Sequence, residues 1–323
     1  MRRKYDYVIY HKNCIDGFSS YFILTHTGLI DEHAKIYPDQ PSAKDIPRGI
    51  ENKNVIIMDV AYKKDILEQI IKKAKYVTHI DHHVTTKNSI ENLLVKYKEK
   101  LNFIYNKDEC GATLTWLFFR KYLTDMQTMP LFLKYIKDND IGAWKHANTR
   151  PFITALSVYY DINNDPHTLG RWDNLLDESE IKRLINMGNI FGEYEEYLLE
   201  INSKRYSIEA FPSKLVYENN KQHFTKAGQY KVAVINGSGC PSGSMLGKKI
   251  VESINCDFCI LWTLNMYTKE YVLSFRSKSV DVEKIASAFG GGGHIYAAAC
   301  SIPESTYNIL DLFFNVSLPR NIS

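Results

Sequence analysis

The chain has 323 residues, more than one core ordinarily serves, so two domains are expected. Hydrophobic residues make up 45% and charged residues 24%, the balance of a globular protein, and no run of about 18 apolar residues offers a membrane span. A net charge of +3, from 40 basic and 37 acidic residues, excludes a broad electrostatic grip on long duplex DNA as the main mode of binding, though not a local basic cleft.

The N-terminus is basic, but its apolar run is short and interrupted by His11, Lys12 and Asn13. It reads as an entering strand, YDYVIYH (5–11), and not as a signal peptide. Helical apolar spacing follows at Phe18, Tyr21, Phe22 and Leu29, then a short strand AKIYP (34–38) and a polar loop with Pro41 and Pro47. NVIIMDV (54–60) has the continuous apolar run of a buried parallel strand. KKDILEQIIKKAK (63–75) is an amphipathic helix and YVTHIDHH (76–83) another strand. This βαβ rhythm predicts an α/β domain with a mostly parallel sheet over residues 1–160. From Cys110 to about Lys145 the pattern is helical, and Glu178 to about Ala210 reads as one or two amphipathic helices in a helical linker spanning 161–227. A smaller α/β domain is expected over 228–323. It has strands YKVAVIN (230–236), FCILWTL (258–264) and YVLSFRS (271–277), a helix from about Ser242, and a short helix (281–289) before a glycine cluster. An interdomain cleft is expected between the halves.

The six cysteines show no disulfide spacing, so reduced thiols and a cytoplasmic setting are expected. Cys256 and Cys259 are two residues apart, but without a second pair they read as buried strand cysteines and not as a metal knuckle. Asn321-Ile322-Ser323 matches a glycosylation acceptor, a match read as chance in the absence of a secretion signal.

Three strand ends in the first domain carry metal-ligand side chains: His11, Cys14 and Asp16 at the first, Asp59 at the second, and Asp81, His82 and His83 at the third. Ligands of open parallel sheets gather beyond the carboxyl ends of the strands, so groups far apart in sequence can converge there. Mixed imidazole and carboxylate donors suit a divalent ion such as Mn²⁺, Fe²⁺ or Zn²⁺. Two such ions roughly 3.5–4 Å apart activate water and offset phosphoryl charge. Taken singly, Asp59 is more often a turn or cap residue and His11 an ordinary hydrogen-bonded histidine. Three adjacent titratable residues after a buried strand are harder to dismiss, because they are costly unless partnered. A second concentration is FGGGGHIYAAAC (289–300), where Gly290 to Gly293 remove every Cβ and let backbone amides approach an anion, beside His294. Arg276, at the end of YVLSFRS, fits a phosphate clamp; its plainer reading is a surface ion pair.

HIDHHVTT (79–86) resembles the signature of the DHH phosphoesterases, and FGGGGHIYAAA that of the DHH-associated C-terminal domain. YHKNCIDGFSS (10–20) and VIIMDVA (55–61) are similar to the family's first and second motifs, NKDECGATLTW (106–116) to the segment after the signature, and YIKDNDIGAW (135–144) to the fourth motif. The likeness runs over nearly the whole chain in order. It implies a metal-dependent phosphodiesterase with two divalent ions, Mn²⁺ ahead of Mg²⁺, Co²⁺ or Fe²⁺, acting on a short single-stranded oligonucleotide or dinucleotide. By the resemblance, His11 helps hold the first ion; Asp16, His82 and a fourth-motif Asp hold the second; and Asp59 bridges. Asp81 supports or ligates, and His83 meets the substrate phosphate. Asp138 is favoured for the fourth motif, with Asp140 as the alternative. Arg276, Gly291, Gly292, Gly293 and His294 would bind the nucleotide end. Cys14 stands where many members have Asp, which leaves the identity of the first ion open. Cyclic or linear dinucleotide signals and polyphosphate are alternative substrates, and an inactive nucleotide-binding protein is the rival from another class.

Overall fold

The computed structural model describes residues 4–313, so the Asn321-Ile322-Ser323 match lies outside the described residues. The chain divides into two compact units that meet in sequence at Gly192 and Glu193, each built on its own sheet.

The first unit holds β1 (Tyr5–His11), α1 (Ile15–Thr25), β2 (Ile30–Asp39), β3 (Asn54–Met58), α2 (Lys64–Lys73), β4 (Tyr76–Asp81), α3 (Val84–Lys96), β5 (Leu101–Tyr105), α4 (Gly111–Phe119), α5 (Leu131–Asp140), α6 (Thr149–Tyr159) and α7 (Pro166–Trp172). Its five strands are all parallel, in the order β2-β1-β3-β4-β5. Alternation along the strands divides the core in two. Val8, Tyr10, Ile56, Met58 and Ile80 pack with residues of α1, α4, α5 and α6, and with Trp172. Tyr7, Ile9, Val55, Ile57 and Val77 pack on the other face against Ile66, Leu67, Ile70 and Ile71 of α2 and Ile90 and Leu93 of α3. Because both faces are covered, the strands read as continuous apolar runs. The chain leaves β1 toward β2 on one side and takes up β3 on the other. That reversal opens a crevice at the carboxyl ends of β1 and β3.

The helix α8 (Glu178–Asn202) ends before Ala210, where the helical pattern had been expected to run. Residues Ser207–Phe211 form a strand instead, β6, because they pair antiparallel with Tyr230–Asn236 (β7). A residue added at Gly188 of α8 would place its Cβ 1.8 Å from the carbonyl oxygen of Pro151 in α6. Backbone cannot yield as a side-chain tip can, so Gly188→Ala should lower unfolding free energy by about 1–3 kcal/mol, read from urea midpoints at unchanged slope.

The second unit continues through α9 (Lys214–Asn219), β7, α10 (Gly243–Ser253), β8 (Phe258–Asn265), β9 (Glu270–Ser277), α11 (Val282–Ser287), β10 (Gly292–His294) and β11 (Ala297–Pro303). Its sheet is mixed, in the order β10-β11-β9-β8-β7-β6, with β7 and β8 parallel. No helix among the described residues is long and apolar enough to cross a membrane.

Candidate metal centre

The crevice at the ends of β1, β3 and β4 gathers the side chains that the three strand ends promised. Gly17 opens the first: a Cβ there would lie 2.6 Å from His11 Cβ, so only glycine lets α1 start this close behind β1. Asp59 follows β3 in the left-handed region, with φ of 62°, which Asp tolerates better than most residues. Its N–H donates to Ile80 O at 2.9 Å and ties the end of β3 to β4. Its two carboxylate oxygens face different partners. Oδ2 accepts from Cys14 Sγ at 3.5 Å and lies 3.5 Å from His11 Nδ1. Oδ1 lies 3.2 Å from His82 Nε2 and 3.9 Å from His83 Nδ1.

Asp16 is held by the start of α4. Gly111 N–H donates to its Oδ2 at 2.6 Å and Ala112 N–H to its Oδ1 at 2.8 Å, so the positive end of a helix meets a buried carboxylate. The Gly-Ala step of the sequence was legible as a helix start; that its amides serve Asp16, 95 residues earlier, was not. His82 Nε2 lies 3.9 Å from Asp16 Oδ2 and 3.3 Å from Asp140 Oδ2. Three donor groups result, each drawn within 4.8 Å: His11, Cys14 and Asp59; Asp16, His82 and Asp140; and Asp59, Asp81, His82 and His83.

Asp138 is not brought to this cluster. Its Oδ1 accepts from Lys145 N–H and its Oδ2 from His146 N–H and Thr149 Oγ1, so it caps its own loop while Asp140, at the end of α5, reaches His82. Sequence spacing could not separate two carboxylates on one helical turn; the loop that consumes one of them does. Asp81, fully buried, is likewise engaged: Oδ1 accepts from His83 Nδ1 at 2.7 Å and from the N–H groups of His82 and His83, and Oδ2 accepts from Thr86 Oγ1 at 2.5 Å.

These groups strain against one another electrostatically. Burial, then the Asp59 charge, raises the carboxyl pKa values of Asp16 and Asp140 above the usual range. Burial acts the same way on Asp59, but His11 and His82 outweigh it and hold that carboxyl low. Burial disfavours charge on His82 too, yet Asp59, Asp16 and Asp140 carry its pKa to about 9. The hydrogen bond to Asp81 raises His83, and burial, followed by Asp59 and Asp16, keeps the Cys14 thiol protonated. Asp59 Oδ1 and His82 Nε2 are buried without the alignment of a hydrogen bond. Such atoms cost about 1–3 kcal/mol each unless a partner meets them. Carboxylates, imidazoles and two orphaned ligand atoms in one crevice fit divalent cations. Asp140, whose raised pKa means that its stabilising protonated form is lost as pH rises through that value, offers a direct check. Asp140→Asn cannot ionise, so at neutral pH the chelator-treated variant should melt above the chelator-treated wild type, while binding Mn²⁺ more weakly in calorimetry.

In the second unit Arg276 lies over Gly247, where a Cβ would sit 2.7 Å from its Cγ. Its Nη1 donates to Phe275 O at 2.7 Å and its Nε to Ser244 Oγ at 3.3 Å, on a cavity of about 340 Å³ shared with Lys248, Lys278 and Tyr296. The glycine run is largely explained by packing. Gly290 turns the chain at φ of 75°, and a Cβ on Gly291 would lie 2.2 Å from Ala299 O. The Gly291 N–H already donates to Ala286 O at 2.9 Å. Gly292, Gly293 and His294 form β10 against β11, with His294 exposed.

No family model matches the chain. An uncharacterized protein, R106, of Acanthamoeba polyphaga mimivirus is 29% identical over 305 residues, covering 90% of this chain and 65% of that protein. Oligoribonuclease NrnB of Bacillus subtilis is 27% identical over 194 residues, covering 55% of this chain and 46% of its own. The chain therefore spans less than two thirds of either relative. A solved pGpG-specific phosphodiesterase from Vibrio cholerae shares the fold at a TM-score of 0.51 and 13% identity, over 94% of this chain and 95% of the other. With the motifs in order along the sequence and their side chains gathered at three strand ends, the chain is similar to the DHH phosphoesterases in sequence pattern and in fold.

Proposed function

We propose that the protein hydrolyses phosphodiester bonds in short oligonucleotides or dinucleotides, releasing mononucleotides, with two divalent cations, Mn²⁺ first among the candidates. The observation that carries this reading is Asp59, whose two oxygens face two different donor groups across one crevice. His11, Cys14 and Asp59 would hold one ion, and Asp16, His82, Asp140 and Asp59 the other. Bound there, the ions would supply a nucleophile active near neutral pH and positive charge against the phosphate oxygens. Asp81 would orient and not ligate, because its hydrogen bonds already use both oxygens. By accepting from His83 Nδ1–H and favouring the charged ring, it would leave Nε2–H of the imidazolium to donate to a non-bridging phosphate oxygen. The printed names of the relatives, an oligoribonuclease and a pGpG-specific phosphodiesterase, support a nucleotide substrate. We further propose that the region 228–323 binds the nucleotide end through Arg276 and His294, and that the protein, whose six cysteines are all free thiols, works in the cytoplasm.

The test is a product assay with metal-stripped protein resupplied with Mn²⁺, on a dinucleotide, RNA and DNA oligomers of increasing length, a cyclic dinucleotide and polyphosphate. Mononucleotides should appear from the dinucleotide and the shortest oligomers. Nucleotide binding without release from any substrate, under Mn²⁺, Mg²⁺, Co²⁺ or Zn²⁺, would replace the enzyme by a binding protein.

A further inference from the structure

The loop after α5 carries a feature that the metal centre does not use. Asp138 organises it: besides the carboxylate bonds to Lys145, His146 and Thr149, its main-chain carbonyl accepts from Ala143 N–H at 3.0 Å and Trp144 N–H at 3.4 Å. Trp144 is held there at φ of 51°, a left-handed conformation that a bulky side chain rarely adopts. The residue is nevertheless 56% exposed, so burial does not explain why the loop imposes this backbone. The indole lines an open cavity of about 420 Å³ with Asn139, Arg150, Ile153 and Thr154. Asn139 directly precedes Asp140, whose carboxylate lies 3.3 Å from His82 Nε2. The exposed ring and the centre's carboxylate are therefore carried by the same helix end and its turn.

We propose that Trp144 stacks on a nucleobase of the substrate, which makes this cavity the base-recognition pocket beside the scissile phosphate. This rests on the phosphodiesterase reading and narrows it, because a polyphosphate has no ring to stack. An indole face accepts any base, since every base has a π-face, and gives affinity without demanding a sequence. Arg150 on the same wall adds a cation beside an anionic ligand. The cavity is of a size that takes a small ligand; such sites run from roughly 300 to 1,000 Å³. Of the other exposed rings, Tyr267 on the turn after β8 lines none of the described cavities, Tyr296 lines the one beside Arg276, and Phe118 lines one with Tyr5 and Thr78.

The test has a kinetic and a spectroscopic arm. Trp144→Ala should reduce the preference for a dinucleotide over the same diester built on abasic sugars by roughly 10- to 100-fold, chiefly through KM, and Trp144→Phe should restore most of it. Separately, GMP titrated into Mg²⁺-supplied protein should quench indole fluorescence, with little quench from ribose 5-phosphate. Trp144→Phe should lose that quench while equilibrium dialysis still finds GMP bound. Quench that depends on Trp144 in a protein with no turnover on any diester would support the stack and sink only the phosphodiesterase reading. An unchanged preference in Trp144→Ala, or a GMP quench that survives Trp144→Phe, would overturn the stack itself.

Discussion

Asp59→Asn should leave a folded protein whose turnover has fallen at least roughly 10³-fold, about 4 kcal/mol in the barrier. The substitution keeps the shape of the side chain and tolerates the left-handed backbone at φ of 62°, so the turn after β3 should survive. What it removes is the charge that holds His11 and Cys14 on one side and His82 on the other. One amide cannot present two anionic oxygens, so both donor groups weaken together. Calorimetric titration with Mn²⁺ should show loss of affinity at both sites and not at one. Circular dichroism and a melting curve on the same sample separate this from misfolding. Asp59→Ala should be equally inactive but less stable, because alanine pays about 1 kcal/mol more in the left-handed region. An Asn variant that kept wild-type rates, with metal-only controls subtracted, would end the shared-carboxylate scheme.

Gly111→Ala, at a position that carries no functional group, should cost nearly as much. An alanine Cβ would lie 2.8 Å from Asp59 Cβ and 2.9 Å from Asp16 Oδ2, closer than real contacts allow. Neither neighbour can yield cheaply. Asp16 is fixed by the amides of Gly111 and Ala112, and Asp59 by its N–H bond to Ile80. Overpacking of this kind costs roughly 1–3 kcal/mol of stability. The larger effect should fall on rate, because displacing the two carboxylates by even a few tenths of an ångström would disturb both proposed ions; a loss of roughly 10²-fold in kcat is expected. Metal content after dialysis should fall in parallel. A Gly111→Ala enzyme with normal kcat and normal metal content would show that the start of α4 is not what positions these carboxylates.

Much of the fold could be read from the chain because its signals are local. VIIM and VTHI are buried on both faces and announce themselves as parallel strands, while α2 shows its Ile66, Leu67, Ile70, Ile71 stripe directly. β5 and β6 were harder, since LNFIY and SIEAF are short and border lysine-rich or helical sequence, and only pairing partners make them strands. The gathering of His11, Cys14, Asp16, Asp59, Asp81, His82 and His83 followed from strand ends in one sheet. The choice between Asp138 and Asp140 did not, because it depends on hydrogen bonds from residues 145–149. The glycine run serves packing as well: Gly291 is required where a Cβ would strike the Ala299 carbonyl, a contact 8 residues away that the sequence does not announce.

The position of β2 at the margin of the first sheet bears on how this protein survives its own folding. The strand runs for ten residues and, among the described residues, pairs on one side only, with β1. An open row of amides and carbonyls that long is a template on which another unfolded copy could assemble. The sequence blunts it: Asp31, Glu32, His33 and Lys35 put charge or polarity along the strand, and Pro38 has no N–H to offer. Late pairing between distant parts of a parallel sheet leaves such a margin exposed while the rest assembles. The residues of β2 that contribute least to the core thus protect solubility, and they are the ones to leave untouched when the protein is engineered for expression.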